Sequence, residues 1–515
     1  MPLISLEVPA GVVRHGVESF SRGRWRDVNF VRWVNGSLRN IGGWRNREDR
    51  TNTSATANVT LGTGQTPRGM ITWKENSGTA HIVAGTYNKL WQISEAGTVL
   101  DITPAGFTAL GVVDAVDNLG YGGYLFGKGS YGTERPASGV MEEATQWTLG
   151  NWGEYLVGCA NDDGKLYEWQ LDTNNTNNVA DNPAAVIANA PTNNKALVVT
   201  EERFIFALAA QGNKRKIMWC DRENNTLWSP SATNQAGDIE LSTGGEIMLG
   251  LSVRGKTLIL TTDDAHVATY TAPPTVYGFE KVGNNCGAVS RQCAVSIDEG
   301  AFWMGLKSFF VFNGGAVQEV PCDVHDYVFG DMNVSQRTKV FAVHNGQNNE
   351  LWWFYPSKDS VENNRYVIFD YQERYWNTGN LDRTAGVDAG VFTHPIYASS
   401  TGLVYDHEIG STYADTAELP HAETGTIQLG NGDRLMDITE ILPDHESLGA
   451  FQIKLKTKNY PNTAETTHGA FTLNSPTSVR VQGREVKVRL EVPSTNPYGF
   501  KLGAVRVDAK AGSKR

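Results

Sequence analysis

The sequence predicts an all-β protein, a β-propeller of six or seven irregular blades followed by a C-terminal β-sandwich. Three observations predict it. A short strand signal, a branched or aromatic pair followed by a polar and then another apolar residue, returns after Gly, Asn or Asp turns. Glycine is frequent, 54 against 19 prolines, and aromatics make up 10% of the chain, which suits tight turns and half-buried pleated strands. Past residue 425 the strands lengthen and alternate between apolar and polar residues, the pattern of a sheet buried on one face.

The signal reads Leu90-Trp91-Gln92-Ile93, Leu166-Tyr167-Glu168-Trp169, Ile217-Met218-Trp219-Cys220-Asp221, Phe309-Phe310-Val311-Phe312, Val367-Ile368-Phe369-Asp370-Tyr371 and Leu403-Val404-Tyr405-Asp406, with a weaker copy at Val267-Ala268-Thr269-Tyr270. Copies lie 36 to 76 residues apart, and repeats near 40 to 50 residues mark propeller blades of four short strands. At 515 residues the chain exceeds one ordinary core, so a large and a smaller domain are expected.

Residues 1–50 read as an Arg/Trp-rich arm. Arg22, Arg24, Trp25, Arg26 and Trp33 are candidate contacts with a neighbouring subunit, because Trp supplies apolar area and Arg supplies forked hydrogen bonds. The other reading is that this segment supplies first strands and closes the propeller ring. Residues 51–416 read as the propeller. Its first clear repeat covers 68–102, where Met70-Ile71-Thr72-Trp73 and His81-Ile82-Val83-Ala84 precede Leu90-Trp91 and Val99-Leu100. Further repeats follow at 146–171, 195–245, 246–283, 287–333, 337–380 and 384–415.

Two stretches break the spacing, 117–136 and 172–194. The first mixes glycine with aromatics, and Tyr121, Tyr124, Tyr131 and Arg135 are its candidate partner contacts; the alternative is a loop tucked over its own domain. Residues 417–515 read as the sandwich with a basic outer face, from Lys454, Lys456, Arg480, Lys487, Arg489, Lys501 and Arg506, ending in a basic tail.

Several function classes have no support in the residues. The start, Met1-Pro2-Leu3-Ile4, lacks the basic and apolar regions of a secretory leader, and no apolar run is long enough to span a membrane. Five widely spaced cysteines without a CxxC pair argue against a disulfide framework or a zinc site and read as buried thiols. GxSxG, HExxH and P-loop motifs are absent. Gly127-Lys128-Gly129-Ser130-Tyr131-Gly132 matches GxGxxG but runs into Glu134-Arg135-Pro136 instead of opening a helix. Asn161-Asp162-Asp163-Gly164 and Thr262-Asp263-Asp264-Ala265-His266 read as hairpin turns. Asp323-Val324-His325-Asp326 and Asp406-His407-Glu408 read as polar networks. No catalytic, cofactor-binding or metal-ligating residues, and no small-molecule substrate, are expected.

The net charge of −11 is divided along the chain: residues 1–50 carry +4, 451–515 carry +8, and 51–450 carry −23. Such asymmetry bears on partners and polyanions.

Four stretches carry a resemblance. They are the opening Pro2-Leu3-Ile4-Ser5 with Gly23-Arg24-Trp25-Arg26 through Trp33 and Gly42-Gly43-Trp44-Arg45; the Gly/Tyr loop ending Tyr131-Gly132-Thr133; Trp219-Cys220-Asp221 with Leu227-Trp228-Ser229-Pro230 and Gly237-Asp238-Ile239-Glu240; and the closing Asn496-Pro497-Tyr498-Gly499-Phe500. Together they resemble the tail hub or nozzle proteins of short-tailed bacteriophages, also called packaged-DNA stabilisation proteins and related to tail tubular protein B. The resemblance implies a propeller joined to a sandwich platform and a homo-hexameric ring below the portal. It also implies a tail adaptor and tail fibre or spike proteins as partners, genomic double-stranded DNA passing through the lumen without sequence-specific binding, and a virion location after assembly in the host cytoplasm. No catalytic residues come with it. A propeller-type polysaccharide-degrading or glycan-binding phage tail protein is the alternative, and a cellular scaffold propeller is disfavoured by the Arg/Trp arm and the absence of regular WD-type signatures.

Overall fold

The computed structural model describes residues 4–50, 57–107, 111–117, 141–171, 183–428, 432–447, 449–473, 476–493 and 499–513. Among them, seven antiparallel four-stranded sheets form a β-propeller. Blade 1 spans 70–101, blade 2 147–186, blade 3 196–240 and blade 4 247–284; blade 5 spans 294–320, blade 6 341–380 and blade 7 385–407. The first strand of each blade lies beside the first strands of its neighbours. Met70–Lys74 meets both Trp147–Trp152 and Ala385–Val387, which closes the circle.

The recurrent signal is one strand of this unit, the third of each blade: Leu90–Ser94, Leu166–Trp169, Lys216–Trp219, Asp264–Ala272, Phe309–Phe312, Arg365–Asp370 and Val404–His407. Adjacent residues on a strand point to opposite faces, yet Leu166 and Tyr167 are both about 1% exposed, and Ile368 and Phe369 are 0% and 2%. The third strands of blades 2 and 6 are therefore covered on both faces, which explains why they lack the alternation of a half-solvated strand. The weaker copy at Val267 belongs to blade 4, so the count is seven, the upper of the two expected values.

Blade 7 takes its fourth strand from the other end of the chain. Trp44–Asn46 pairs with Val404–His407 in the register Tyr405↔Asn46, Asp406↔Arg45 and His407↔Trp44. This pairing occupies an edge that would otherwise leave a row of unbonded backbone groups on the last blade. Close approach dictates the residues in front of it: a Cβ on Gly42 would lie 2.3 Å from a Glu408 carboxylate oxygen, and one on Gly43 2.3 Å from the Thr412 carbonyl. Trp44 follows, 1% exposed, stacked on His407 at 5.0 Å and donating its indole N–H to Asp415 at 2.5 Å.

The sandwich also draws on both ends of the chain. One sheet orders Val31–Val34, Ser37–Asn40, Phe500–Ala511, Met436–Ser447 and Thr477–Gly483, with Ile4–Leu6 added on Phe500–Ala511; the other orders Trp25–Asn29, His421–Thr424, Glu485–Glu491, Gln452–Lys458 and Thr466–Thr472. Inward residues such as Ile441, Ile453, Leu455 and Val486 are at most 1% exposed. Residues 4–50 are therefore no separate arm; the ring-closing reading describes them, and they supply strands to both domains. The stretch 172–194 is also more than an insertion, because Ala185–Val186 is the outer strand of blade 2; residues 172–182 lie outside the described residues.

The basic outer face of the sandwich is largely ion-paired on the second sheet. Lys456 meets Glu423 at 2.5 Å, Lys487 meets Glu465 at 2.5 Å, Arg489 meets Glu423 at 3.2 Å, and Lys454 meets Glu491. The sequence shows the bases at every second position of two strands, but the acids come from neighbouring strands and cannot be seen as partners until the sheet is assembled. On the first sheet Arg480, Arg506 and Lys510 are exposed.

Two residues pin the domains together. Phe30 forms the single-residue corner between Trp25–Asn29 and Val31–Val34, with φ of 53°, a conformation uncommon for a residue with a side chain. Its N–H donates to the Tyr366 hydroxyl at 3.0 Å, and its ring, 0% exposed, packs on Trp44, Tyr366 and Tyr413; burying such a ring stabilises by about 1.5–3 kcal/mol. Arg32 runs from the sandwich into blades 6 and 7. It is bidentate to Glu350 at 2.9 and 2.9 Å and to Glu408 at 2.9 and 2.6 Å. Asn345 donates to both carboxylates, at 3.2 and 3.1 Å, and Trp352 donates to Glu350 at 2.9 Å.

Removing one partner of a buried ionic group leaves the others uncompensated. Arg32→Met is therefore expected to lower the unfolding free energy by about 3–5 kcal/mol in chemical denaturation, with loss of both the propeller and the sandwich signals.

Candidate functional site at the propeller axis

Each first strand is preceded by polar residues, and these loops converge on one end of the propeller axis. Their side chains bridge non-adjacent blades. Gln292, ahead of blade 5, donates to the Arg68 carbonyl ahead of blade 1 at 2.6 Å and to the Trp147 carbonyl of blade 2 at 2.7 Å. Gln146, ahead of blade 2, donates to the Thr338 carbonyl ahead of blade 6. Gln336 makes both amide bonds to Ala115, accepting at 3.0 Å and donating at 2.8 Å.

Buried charges surround these bridges, and each has partners. Arg291, 3% exposed, contacts Glu246 at 3.0 Å and Glu143 at 3.2 Å and donates to the carbonyls of Ile247 and Met248 at 3.2 and 3.1 Å. The Lys339 side chain, wholly buried, reaches Asp114 at 2.5 Å, Glu362 at 3.0 Å and the Val361 carbonyl at 2.7 Å, and Arg68 shares Glu362 at 2.5 Å. Burial pushes the Lys339 amine below the usual lysine range, and Arg68 pushes the same way. Burial also raises the Asp162 carboxyl, which accepts from Thr145. The mouth is thus crossed by the protein's own hydrogen bonds, with its charges committed to one another.

From this mouth rises a two-stranded stem, Val116–Asp117 paired with Met141–Glu142. The Asp114–Lys339, Ala115–Gln336 and Glu143–Arg291 contacts anchor its base. Val113, Val334 and Val361, 39%, 60% and 53% exposed, belong to the same loops. The expected Gly/Tyr loop lies between the stem strands. Tyr121, Tyr124, Tyr131 and Arg135 lie outside the described residues, as does the GxGxxG match.

Of the amino-terminal candidates, Trp25 and Trp33 are 6% and 3% exposed. Their rings are 6.2 Å apart, and Trp33 packs edge-on against Tyr375 of blade 6 at 5.3 Å. They are core residues and not a subunit surface. Arg22 is exposed, with a guanidinium nitrogen 3.5 Å from the Gln428 carbonyl. Arg24 and Arg26 are half-buried, donating to the Ala10 carbonyl at 3.3 Å and the Ser21 hydroxyl at 3.2 Å.

The acidic turns at 161–164 and 262–266 connect the second and third strands of blades 2 and 4. His325 and Asp326 begin a short helix, His325–Asp331, where Asp326 accepts from the Gly16 N–H at 2.8 Å. His407 is buried against Arg383 at 2.9 Å, and burial together with that cation holds it neutral. All five cysteines are free thiols, and burial pushes Cys159 and Cys220 up to about 12. Sequence reading did not single out Arg68, Arg291, Gln292 or Lys339. The available signal was a polar residue within a few positions of each first strand, visible only once the blade register is known.

No family model matches the chain, and no curated protein matches it. Solved structures similar to it include selenomethionine-substituted virginiamycin B lyase from Staphylococcus aureus, with 8% identity over 68% of this chain and 97% of that one and a TM-score of 0.42. YCF48 from Cyanidioschyzon merolae has 8% identity over 71% and 98% with a TM-score of 0.39. An exo-β-1,3-galactanase from Phanerochaete chrysosporium has 9% identity over 91% and 100% with a TM-score of 0.30. Two of these three are enzymes, at distant similarity. At these identities and TM-scores the likeness carries no argument about activity or partner.

The axial cluster has a pH signature. Burial pushes the Glu246 carboxyl up, but Arg291 and Lys214 outweigh it and hold the group below its usual 4.5. A depressed carboxylate contributes stability that is present above its unfolded pKa and lost as pH falls through the lower folded value. Glu246→Gln is expected to flatten the fall of thermal stability below about pH 4.5, measured by melting across an acid pH series.

Proposed function

We propose that the chain is a structural, non-enzymatic nozzle or hub protein of a short-tailed phage tail. In this reading six copies form a ring below the portal and adaptor. The ring carries fibre or spike proteins at its side, retains the packaged genome, and conducts double-stranded DNA through the common lumen without reading its sequence. The protein resides in the virion after assembly in the host cytoplasm.

The observation that carries this reading is the double use of the amino-terminal segment. Residues 4–46 contribute strands to both sandwich sheets and to blade 7, and Phe30 and Arg32 cross between the domains. Separating the domains would require breaking β pairing and a buried ion cluster together. That coupling suits a part that holds its shape under load. Side chains that bridge the axis support a second element of the reading, in which the conduit lies between copies and not inside one propeller. The polypeptide between the two ends of the stem is a natural candidate for contact with a neighbouring subunit or partner.

Light scattering on the purified protein, alone and with its adaptor ring, checks the assembly together with negative-stain images. A six-membered ring with a bore wide enough for duplex DNA is the expected result. A monomer or trimer that shortens host surface glycans would overturn the proposal in favour of the polysaccharide-active alternative.

A further inference from the structure

The seam between blades 7 and 1 holds a cleft of about 400 Å³ whose cationic wall comes from Arg45, Arg47, Arg50 and Lys74. Two separate segments bring these residues together. Arg45 lies on the closing strand, Arg50 follows on the connector whose N–H donates to the Ala96 carbonyl of blade 1 at 2.8 Å, and Lys74 ends the first strand of blade 1. Phe392 and His394, from the first hairpin of blade 7, line the opposite side.

The four cations are not equivalent. Arg47 is structural: it is 9% exposed, pairs with Asp406 at 2.7 Å and lies over the Phe392 ring at 4.5 Å, yet its Nε is buried without a hydrogen-bond partner. Arg45, Arg50 and Lys74 are exposed and, among the described residues, make no ion pair or side-chain hydrogen bond. With Asp406 committed to Arg47, Glu95 is the remaining carboxylate on the wall. This happens on a chain of net charge −11 whose residues 51–450 carry −23, yet the cleft lining holds four cationic side chains against two carboxylates, one of them committed to Arg47. Like charges gathered within a screening length of about 8–10 Å repel unless an anion sits among them.

We infer that this cleft binds a phosphoryl group. Donors that converge from two segments match an anion with several oxygens directed in space, and guanidinium forks suit phosphate. The inference stands on the seam alone and does not depend on ring assembly. A phosphoryl group reaches such a cleft as free inorganic phosphate or as the phosphodiester of a nucleic acid backbone, and the test separates the two.

The experiment uses the full chain at neutral pH and low salt, with inorganic phosphate in one arm and a short DNA duplex in the other, followed by calorimetry and by thermal melting. The comparison protein is the triple variant Arg45→Gln, Arg50→Gln, Lys74→Gln, whose exposed positions leave the fold intact, as an unchanged melting curve in phosphate-free buffer verifies. Saturable phosphate binding that raises the melting temperature, and that weakens by about tenfold or more in the triple variant, is expected. Duplex binding with the same loss in the variant, without free-phosphate binding, assigns the phosphodiester as the source. Absence of saturable binding in both arms, or binding that the triple variant leaves unchanged, overturns the proposal.

Discussion

The crossing of the amino-terminal segment between the sandwich and the propeller is the constraint on which the rest of the structure depends. At its centre Arg32 is held by Glu350 of blade 6 and Glu408 just beyond blade 7. A buried guanidinium between two carboxylates is tolerable only when each charge is neutralised and hydrogen-bonded, and here Asn345, Trp352 and the Gly42 N–H complete the coordination. Burial pushes Glu350 above the usual carboxylate range, whereas Arg32 holds Glu408 below it despite the same burial. Between them the pair carries the charge that balances Arg32. The geometry ties the closing strand, the last two blades and the sandwich to one point.

From that point the propeller gains closure and the sandwich gains four of its eleven strands. Trp44–Asn46 completes blade 7 only because the chain has already passed through Val31–Val34 and Ser37–Asn40 in the sandwich. The terminal Phe500–Ala511 then pairs with Ile4–Leu6, Ser37–Asn40 and Met436–Ser447. Residues 4–6 and 500–511 are thereby bound in β structure, and contacts of very long sequence separation dominate. Such a topology postpones much of its stabilisation until loop closure has been achieved.

The axial mouth and the seam obey different electrostatic rules. At the axial mouth Arg291, Lys339 and Arg68 are buried and each meets a carboxylate, so the cost of desolvation is offset internally. At the seam between blades 7 and 1 three cations stay in water and, among the described residues, make no ion pair. Exposed like charges cost little each, but their concentration on an acidic chain is the kind of arrangement that an anionic ligand completes.

The sequence by itself determined that the protein is all-β and repeats a four-stranded unit. A strand covered on both faces must be apolar at consecutive positions, and that rule wrote Leu166-Tyr167 and Ile368-Phe369 into the third strands. It also set the Gly42-Gly43 approach and the alternation of Gln452–Lys458. Tertiary structure alone decided what the Arg/Trp segment does. Trp25 and Trp33 carry the same residue types that a partner surface would carry, and only the packing of Trp33 on Tyr375 and of Trp25 on Trp33 makes them core. The ion pairs on the second sheet of the sandwich and the glutamines that bridge the axis join residues from 22 to more than 200 positions apart. No local pattern encodes such partners, because propensity and periodicity act over a few residues, whereas a charge is satisfied by whatever the finished fold brings within about 3 Å.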